Sequence, residues 1–548
     1  MRRSIHLLAL LAASRLCAQS ASDDGLGASL DAVLQRYYDE ADPGATALVA
    51  LDGQVLWAGS VGKADPRART AIDTTDVLRI GSLTKQFTAT AIMQLAEEGM
   101  VGLQADIRSY IDFPKKEHTI TVEHLLTHTS GIPNYTDLPT FTPKLYGKDV
   151  LVKDVVATFK DLPLEFEPGT QWRYSNSGYI LLGLIIEKVS GLSYEGYLRE
   201  NIFGPAGLTS TTASPANDLV EGEIEGFRRE GDAWKQAVPI SLSWPFAAGV
   251  IRSTVGDLNR WNTAVMGGRL VPPASMEKAF TEHTLKDGTP THYGYGWITG
   301  RLQGTPTLEH GGSINGFSSY GLFVPQDAVY AVVLSNRTDV DAGAVAAELA
   351  AVVLGTPFPS EPYGVDTAAL RAISGVYVSE KGVERYLTVE EGRLWSQRQG
   401  GSKYELRCVG QDLFRFTNDV LLFQVQRAGG KVTGARLRTR MGDEQLTRTD
   451  KPLPMAPVQV QLEPAMLERY AGVYELQPGF NITFRVDGTR FLTQATGQEE
   501  FEAFASGPTT FFLKVVDARI EFLPEPDGAV KRMKLFQGGA ELEGRRVR

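Results

Sequence analysis

The spacing of apolar residues changes character along the chain. Over residues 28–39, Leu30, Val33, Leu34, Tyr37 and Tyr38 recur at three- and four-residue intervals, which predicts an amphipathic helix. Ala45 to Leu51 and Gln54 to Ala58 are strand-like runs joined by Asp52-Gly53, the preferred two-residue hairpin turn. Residues 79–96 carry Ile92, Leu95 and Ala96 at helical spacing among strong helix formers, so a mostly apolar helix is predicted to begin at about Ser82. Helical runs recur at 122–127, 150–160, 179–189, 254–266 and 275–281. Strand-like segments return at 293–298, 307–309, 319–324 and 328–334, before a helix at 342–354. A helix and hairpin, a helical insert, then strands and a closing helix predict an α+β domain built on one antiparallel sheet.

Beyond Gly355 the pattern becomes short alternating strands. Residues 355–364 are Pro-rich and aperiodic, as a linker is. A repeat follows: Gly375-Val376-Tyr377 recurs as Gly472-Val473-Tyr474, Gly392 as Gly488, Phe414 as Phe511 and Gly430 as Gly528, at offsets of 97, 96, 97 and 98. One unit used twice, rich in short strands, predicts two antiparallel β-barrels that close their own edges, of lipocalin-like build. The expected layout is a signal peptide at 1–20, an α+β domain at 21–354, a linker at 355–364, a barrel at 365–450, a linker at 451–462 and a barrel at 463–548.

Composition is that of an ordinary globular protein, 43% hydrophobic and 22% charged. Residues 1–20 read as a signal peptide: Arg2 and Arg3, an apolar run from Ile5 to Ala13, then Ala18-Gln19-Ser20. Its removal would take three arginines and no acid, so the net charge falls from −10 to −13. An acidic chain argues against nucleic acid or an anionic membrane as main partner. No later apolar run is long enough to span a bilayer, so no membrane anchor is expected after cleavage. Cys408 would be the sole remaining cysteine, and the residues form no ligand cluster such as C-x-x-C or H-E-x-x-H. The expectation is a bacterial periplasmic or secreted protein with no metal, no cofactor and no disulfide.

Candidate chemistry starts with Ser82 and Lys85, three residues apart and hence on one helix face. A lysine held beside a serine in a half-buried pocket can take its proton, because desolvation lowers the amine pKa. The same spacing occurs at Ser60–Lys63 and Ser275–Lys278, where Ser60 reads as a turn serine between Gly59 and Gly62 and Ser275 as an N-cap. Tyr174-Ser175-Asn176 enters the 179–189 helix. A tyrosine hydroxyl near two cations can ionise and shuttle protons, and an asparagine amide can bind a carbonyl. His310-Gly311-Gly312-Ser313 follows the 307–309 strand, where glycines let a substrate backbone approach and the Ser313 N–H can face an oxyanion. His292-Tyr293-Gly294 and Lys286-Asp287-Gly288 compete with it, the first read as strand packing and the second as an exposed turn.

The ordered set Ser82-x-x-Lys85, Tyr174-x-Asn176 and His310-x-Gly312 resembles the serine β-lactamase and penicillin-recognising family, in the form of its class C β-lactamase, DD-peptidase and esterase branch. Leu125 to Pro133, Glu167 to Thr170 and Ala248 to Thr254 resemble that branch too, and the resemblance covers about residues 27–354. It implies that Ser82 is acylated, that Lys85 and Tyr174 share the proton transfers, and that Asn176 binds the substrate amide. The backbone N–H groups of Ser82 and Ser313 would form the oxyanion hole, with His310 and Gly312 as substrate-binding positions. A lysine followed by a hydroxyl residue commonly opens the third motif and holds a substrate carboxylate; here His310 and Gly311 stand there. That departure, with two C-terminal barrels, looks like the D-aminopeptidase branch, in which a loop of the last domain reaches the substrate amine; Glu499 and Glu500 are the acids placed for it. The resemblance therefore implies an exported serine hydrolase acting on D-amino-acid peptides or cell-wall fragments. An esterase or β-lactamase is the alternative, and a penicillin-binding sensor that acylates without turnover is the third reading.

Overall fold

The computed structural model describes residues 23–215, 220–454, 458–477, 480–496, 500–537 and 540–547. The expected signal peptide and Glu499 lie outside them. The chain divides into two compact units, one of residues up to 137 and 144–358, the other of Leu138–Pro143 and Pro359–Arg548.

The first unit is organised on a six-stranded antiparallel sheet. Helix α1 (Asp23–Tyr37) leads into strands β1 (Ala45–Leu51) and β2 (Gln54–Val61), joined at Asp52 and Gly53 with φ of 49° and 76°, the left-handed pair that a tight hairpin turn requires. Helices α2 (Thr84–Glu97), α3 (Asn176–Ser190) and α4 (Val255–Met266) come next. The sheet resumes with β3 (Ile298–Leu302), β4 (Thr305–Ile314), β5 (Phe317–Val324) and β6 (Val329–Ser335), and helix α5 (Ala342–Val353) follows. The spatial order is β2-β1-β6-β5-β4-β3. Strand β6 is buried along its whole length, as a central strand covered by helices on both faces must be. Helix α2 is buried at eleven of its fourteen positions and packs against α3, so it is the core helix of the unit.

Three local expectations are corrected. Ser60 lies within β2, paired with Thr46, because the strand runs on to Val61. Ser275 lies inside the helix Pro273–Phe280, whose N-cap position is Pro272. The 293–298 segment is an irregular loop, with one isolated bridge between Tyr293 and Ile298, because Gly296 at φ 82° packs on the Lys85 carbonyl and breaks the strand geometry.

Two closed eight-stranded antiparallel barrels make up most of the second unit, each strand pairing with its sequence neighbour. The first closes where Gly375–Ser379 meets Gly442–Thr449, the second where Tyr474 meets Arg546. The copies repeat in detail. Gly375 and Gly472 have φ of 148° and 146°, and the Tyr377 and Tyr474 hydroxyls donate to the carbonyls of Ile373 and Tyr470, each four residues back. Arg448 donates to Ser374 O as Arg546 does to Ala471 O. Phe414 and Phe511 are both core residues. Cys408 is free and half-buried.

Candidate active site

Ser82 occupies a single 3-10 turn, Gly81–Leu83, and Lys85 the first turn of α2. The turn is held against β4 and β5. The Ser319 hydroxyl donates to Ile80 O at 2.8 Å, and a Cβ on Gly312 would lie 2.0 Å from the same oxygen. Gly81, at φ 50°, has its backbone against that of Ser313; an added Cβ would meet Ser313 N at 3.0 Å. Glycine at both positions lets two backbones approach, which puts the amides of Ser82 and Ser313 at one edge of the sheet. That edge is open because β3 pairs with β4 only as far as Glu309. His310 to Ser313 therefore lie inside a strand rather than after one, because β5 pairs with β4 as far as Ile314.

Lys85 is fully buried. Its Nζ lies 3.0 Å from Ser82 Oγ, 2.8 Å from Asn176 Oδ1 and 2.8 Å from the carbonyl oxygen of Ala248. Desolvation carries the amine pKa well below its ordinary value. A neutral amine has two hydrogens and one lone pair. Two of its three neighbours can only accept, and the Ser82 hydroxyl is the one that also has a hydrogen to give to a neutral amine's lone pair.

Tyr174 is hydrogen-bonded to Ser82, and its ring centroid is 4.8 Å from Lys85 Nζ. Burial raises the phenol pKa. The two cations that would ionise it are not observed, since its neighbours His128 and His310 and the Lys85 amine are all buried with depressed pKa values. Tyr174 thus stays a phenol. Asn176 begins α3, takes Asn134 Oδ1 on its backbone N–H at 3.0 Å, and points its Nδ2 to Thr136 Oγ1 at 3.3 Å.

His310 is 3% exposed, not a surface residue of a glycine turn. Its Nδ1 is 2.6 Å from Gly311 O and its Nε2 is 2.9 Å from the Tyr293 hydroxyl. The carbonyl can only accept, so Nδ1 carries the proton and Nε2 accepts from Tyr293. Burial pushes the imidazole pKa down to about 3. Of the rival motifs, His292 is half-exposed and pairs with Glu282 at 3.1 Å, and Lys286 pairs with Glu167 at 2.6 Å on the surface. Glu500 lies on a barrel strand, in an exposed pair with Arg485 at 2.6 Å.

Sequence reading passed over the roles of Ala248, Tyr293, Asn134 and Thr136. A backbone carbonyl leaves no sequence signal, and Tyr293 stood in a motif read as packing. The one available hint for Ala248 was the stretch Ala248 to Thr254 already likened to a family pattern. Phe246, at φ 40°, is the strained residue that turns this stretch beside α2.

An antiparallel sheet flanked by helices, with a buried lysine beside a half-buried serine between them, defines a serine hydrolase of the β-lactamase and penicillin-binding type. The chain belongs to the Beta-lactamase family, whose model matches residues 30–355, and residues 456–546 match a domain of unknown function, DUF3471. It is 29% identical over 392 residues to penicillin-binding protein 4* of Bacillus subtilis, covering 66% of this chain and 85% of that one. Among solved structures it resembles a D-stereospecific amidohydrolase from Streptomyces sp., at 27% identity and a TM-score of 0.54 over 60% of this chain and 99% of that one. The fold is also that of the octameric penicillin-binding protein homologue from Pyrococcus abyssi, with 24% identity and a TM-score of 0.55 over 77% of this chain and 99% of the other. The protein is an enzyme, a serine hydrolase related to these peptidases, amidases and esterases. No helix among the described residues is long and apolar enough to cross a membrane.

Proposed function

We propose that this enzyme is an exported hydrolase of small amides, acting on D-amino-acid amides or peptides through an acyl-Ser82 intermediate. The observation that carries the proposal is the placement of the Lys85 amine, buried, with its pKa well below the ordinary value and its Nζ 3.0 Å from Ser82 Oγ. Ser82 Oγ bonds to the acyl carbon as its proton passes to Lys85. The bond to the leaving group breaks as that group takes the Tyr174 proton, and the Lys85 ammonium restores the phenol. Water then attacks the acyl carbon as Lys85 takes one of its protons, and the ester bond breaks as Ser82 Oγ receives that proton back. The amides of Ser82 and Ser313 hold the oxyanion, each such donor contributing about 3–4 kcal/mol. Asn176 orients the substrate amide, and the backbone of His310 to Gly312 lines its path.

The substrate class follows from charge. His310 is neutral, buried and hydrogen-bonded at both nitrogens, so it offers a carboxylate no cation. Substrates that end in a free carboxylate at this position, penicillins included, are therefore disfavoured against neutral amides. The likeness to a D-stereospecific amidohydrolase supports the D-amino-acid side of the reading. Small esters share the neutral acyl end and are the second reading. Export rests on the charged-then-apolar pattern of residues 1–20.

The test incubates the mature protein and its Ser82→Ala variant with a fluorophosphonate probe, then with D-alanyl amides, p-nitrophenyl esters and nitrocefin. Labelling of the wild type alone, with turnover of amides above nitrocefin, is expected. Equal labelling of both proteins refutes Ser82 as nucleophile, and labelling without turnover of any substrate points to a sensor.

A further inference from the structure

His128 lies behind the acylation site and takes no part in the proton path just described. It is 1% exposed and holds φ of 59°, a left-handed conformation rare for a residue other than glycine or asparagine. It grips the segment that carries Tyr174 in three ways. Its backbone carbonyl accepts the Arg173 N–H at 3.0 Å, and its Nδ1 accepts the Ser175 N–H at 3.2 Å. Its ring packs on the Tyr174 ring, with centroids 4.2 Å apart and planes tilted by 40°. The residues on each side of Tyr174 are thus tied to one histidine, and the tyrosine ring lies on it.

We propose that His128 is the positioning residue that aims the Tyr174 phenol at Ser82 and the leaving group. The proposal rests on the reading of Tyr174 as the proton donor. For Nδ1 to accept, the ring proton must sit on Nε2, which has no hydrogen-bond partner among the described residues and lies amid the rings of Tyr179, Tyr293 and Trp172. A buried N–H without a partner is costly, and here the tautomer that bears the cost is the one that leaves Nδ1 free for Ser175. Ser175 is itself 4% exposed, so without that acceptor its N–H has nowhere else to turn, and the 173–175 segment must shift.

A displaced proton donor has a signature that general loosening lacks. p-Nitrophenolate leaves without a proton, whereas ethoxide must be given one. The experiment measures kcat and KM for butyrate esters from p-nitrophenyl to ethyl, in the wild type, Tyr174→Phe, His128→Gln and His128→Asn. Asparagine places an acceptor oxygen where Nδ1 stands and tolerates the left-handed backbone; glutamine places its polar atoms near Nε2. Tyr174→Phe and His128→Gln are expected to lose about 100-fold or more in kcat on the ethyl ester and less than tenfold on the p-nitrophenyl ester, with KM little changed. His128→Asn is expected to stay within about fivefold of the wild type on both. If Tyr174→Phe shows no leaving-group dependence, the proton-donor reading fails. If it does but His128→Gln loses equally on all esters, or His128→Asn behaves like His128→Gln, the positioning role of His128 is overturned.

Discussion

The depressed pKa of Lys85 makes a prediction about stability as well as rate. Lys85→Met keeps the length and apolar stem of the side chain and removes the amine. Without a proton acceptor for Ser82, kcat/KM should fall by about 10²- to 10⁴-fold, the range for loss of a general base. Stability should behave differently. An amine that ionises near 10.4 in the unfolded chain costs about 4–5 kcal/mol to hold neutral at pH 7. The methionine avoids that cost, but it loses two hydrogen bonds at about 1 kcal/mol each and leaves the buried acceptors of Asn176 and Ala248 without their donor. The two effects nearly cancel at pH 7. They separate with pH. The folded-state pKa is depressed, so above it and below about 10.4 the unfolded chain binds one proton more than the folded one, and wild-type stability rises with pH. The methionine variant lacks that group. Between the folded-state pKa and about 10.4 the wild type should gain stability relative to Lys85→Met, by up to about 1.4 kcal/mol per pH unit. Urea unfolding followed by tryptophan fluorescence reads the correct unit, since six of the seven tryptophans precede residue 300. A stability difference that stays flat from pH 7 to pH 9 would mean the amine is charged in the fold, and the proton path through it would be refuted.

Three further outcomes are expected. Gly312→Ala forces a Cβ to within 2.0 Å of Ile80 O, so the 3-10 turn must move; a folded protein with fluorophosphonate labelling slowed at least tenfold is expected, and unchanged labelling would show that the turn has slack. The His310 ring, with a pKa of about 3, should keep one NMR shift from pH 5 to pH 8, identified by its loss in His310→Asn, whereas a titration near 6.5 would restore it as a carboxylate-binding cation. Arg252 is fully buried and donates to Glu223 Oε2 at 2.9 Å, while Arg79 takes the other carboxylate oxygen at 2.9 Å. Arg252→Met leaves that buried carboxylate with the Arg79 guanidinium and the Val220 N–H but without its second cation, and urea unfolding should report a loss of about 3–5 kcal/mol; a loss below 1 kcal/mol would refute the buried network as a stabilising one.

Much of the fold could be read from residue order. Asp52-Gly53 marked the hairpin, the 3.6-residue periodicity marked the helices, and the near-constant offset between copies marked two barrels. Errors fell where a backbone had to bend for a distant partner. The 293–298 segment alternates like a strand, yet Gly296 must pass over the Lys85 carbonyl, so the chain turns and leaves Tyr293 facing His310. The strand expected at 307–309 was ended before His310, where two glycines follow. Those glycines are there because β4 passes close to Ile80 and to the Tyr320 ring, and the strand continues through them.

What the sequence determined by itself is the pairing of Ser82 with Lys85, because one helical turn suffices to place them and no distant contact is needed. It also determined that no lysine stands at the third motif. What the tertiary structure alone decided is protonation. Burial of Lys85 by segments 91 and 163 positions away carries its amine pKa well below the ordinary value, against the two acceptors, Asn176 Oδ1 and Ala248 O, which favour the protonated form. His310 is neutral because it is buried in a dry layer, the Gly311 carbonyl on Nδ1 working the other way. Desolvation depends on everything that packs around a group, and so it is a property of the fold and not of the residues in line.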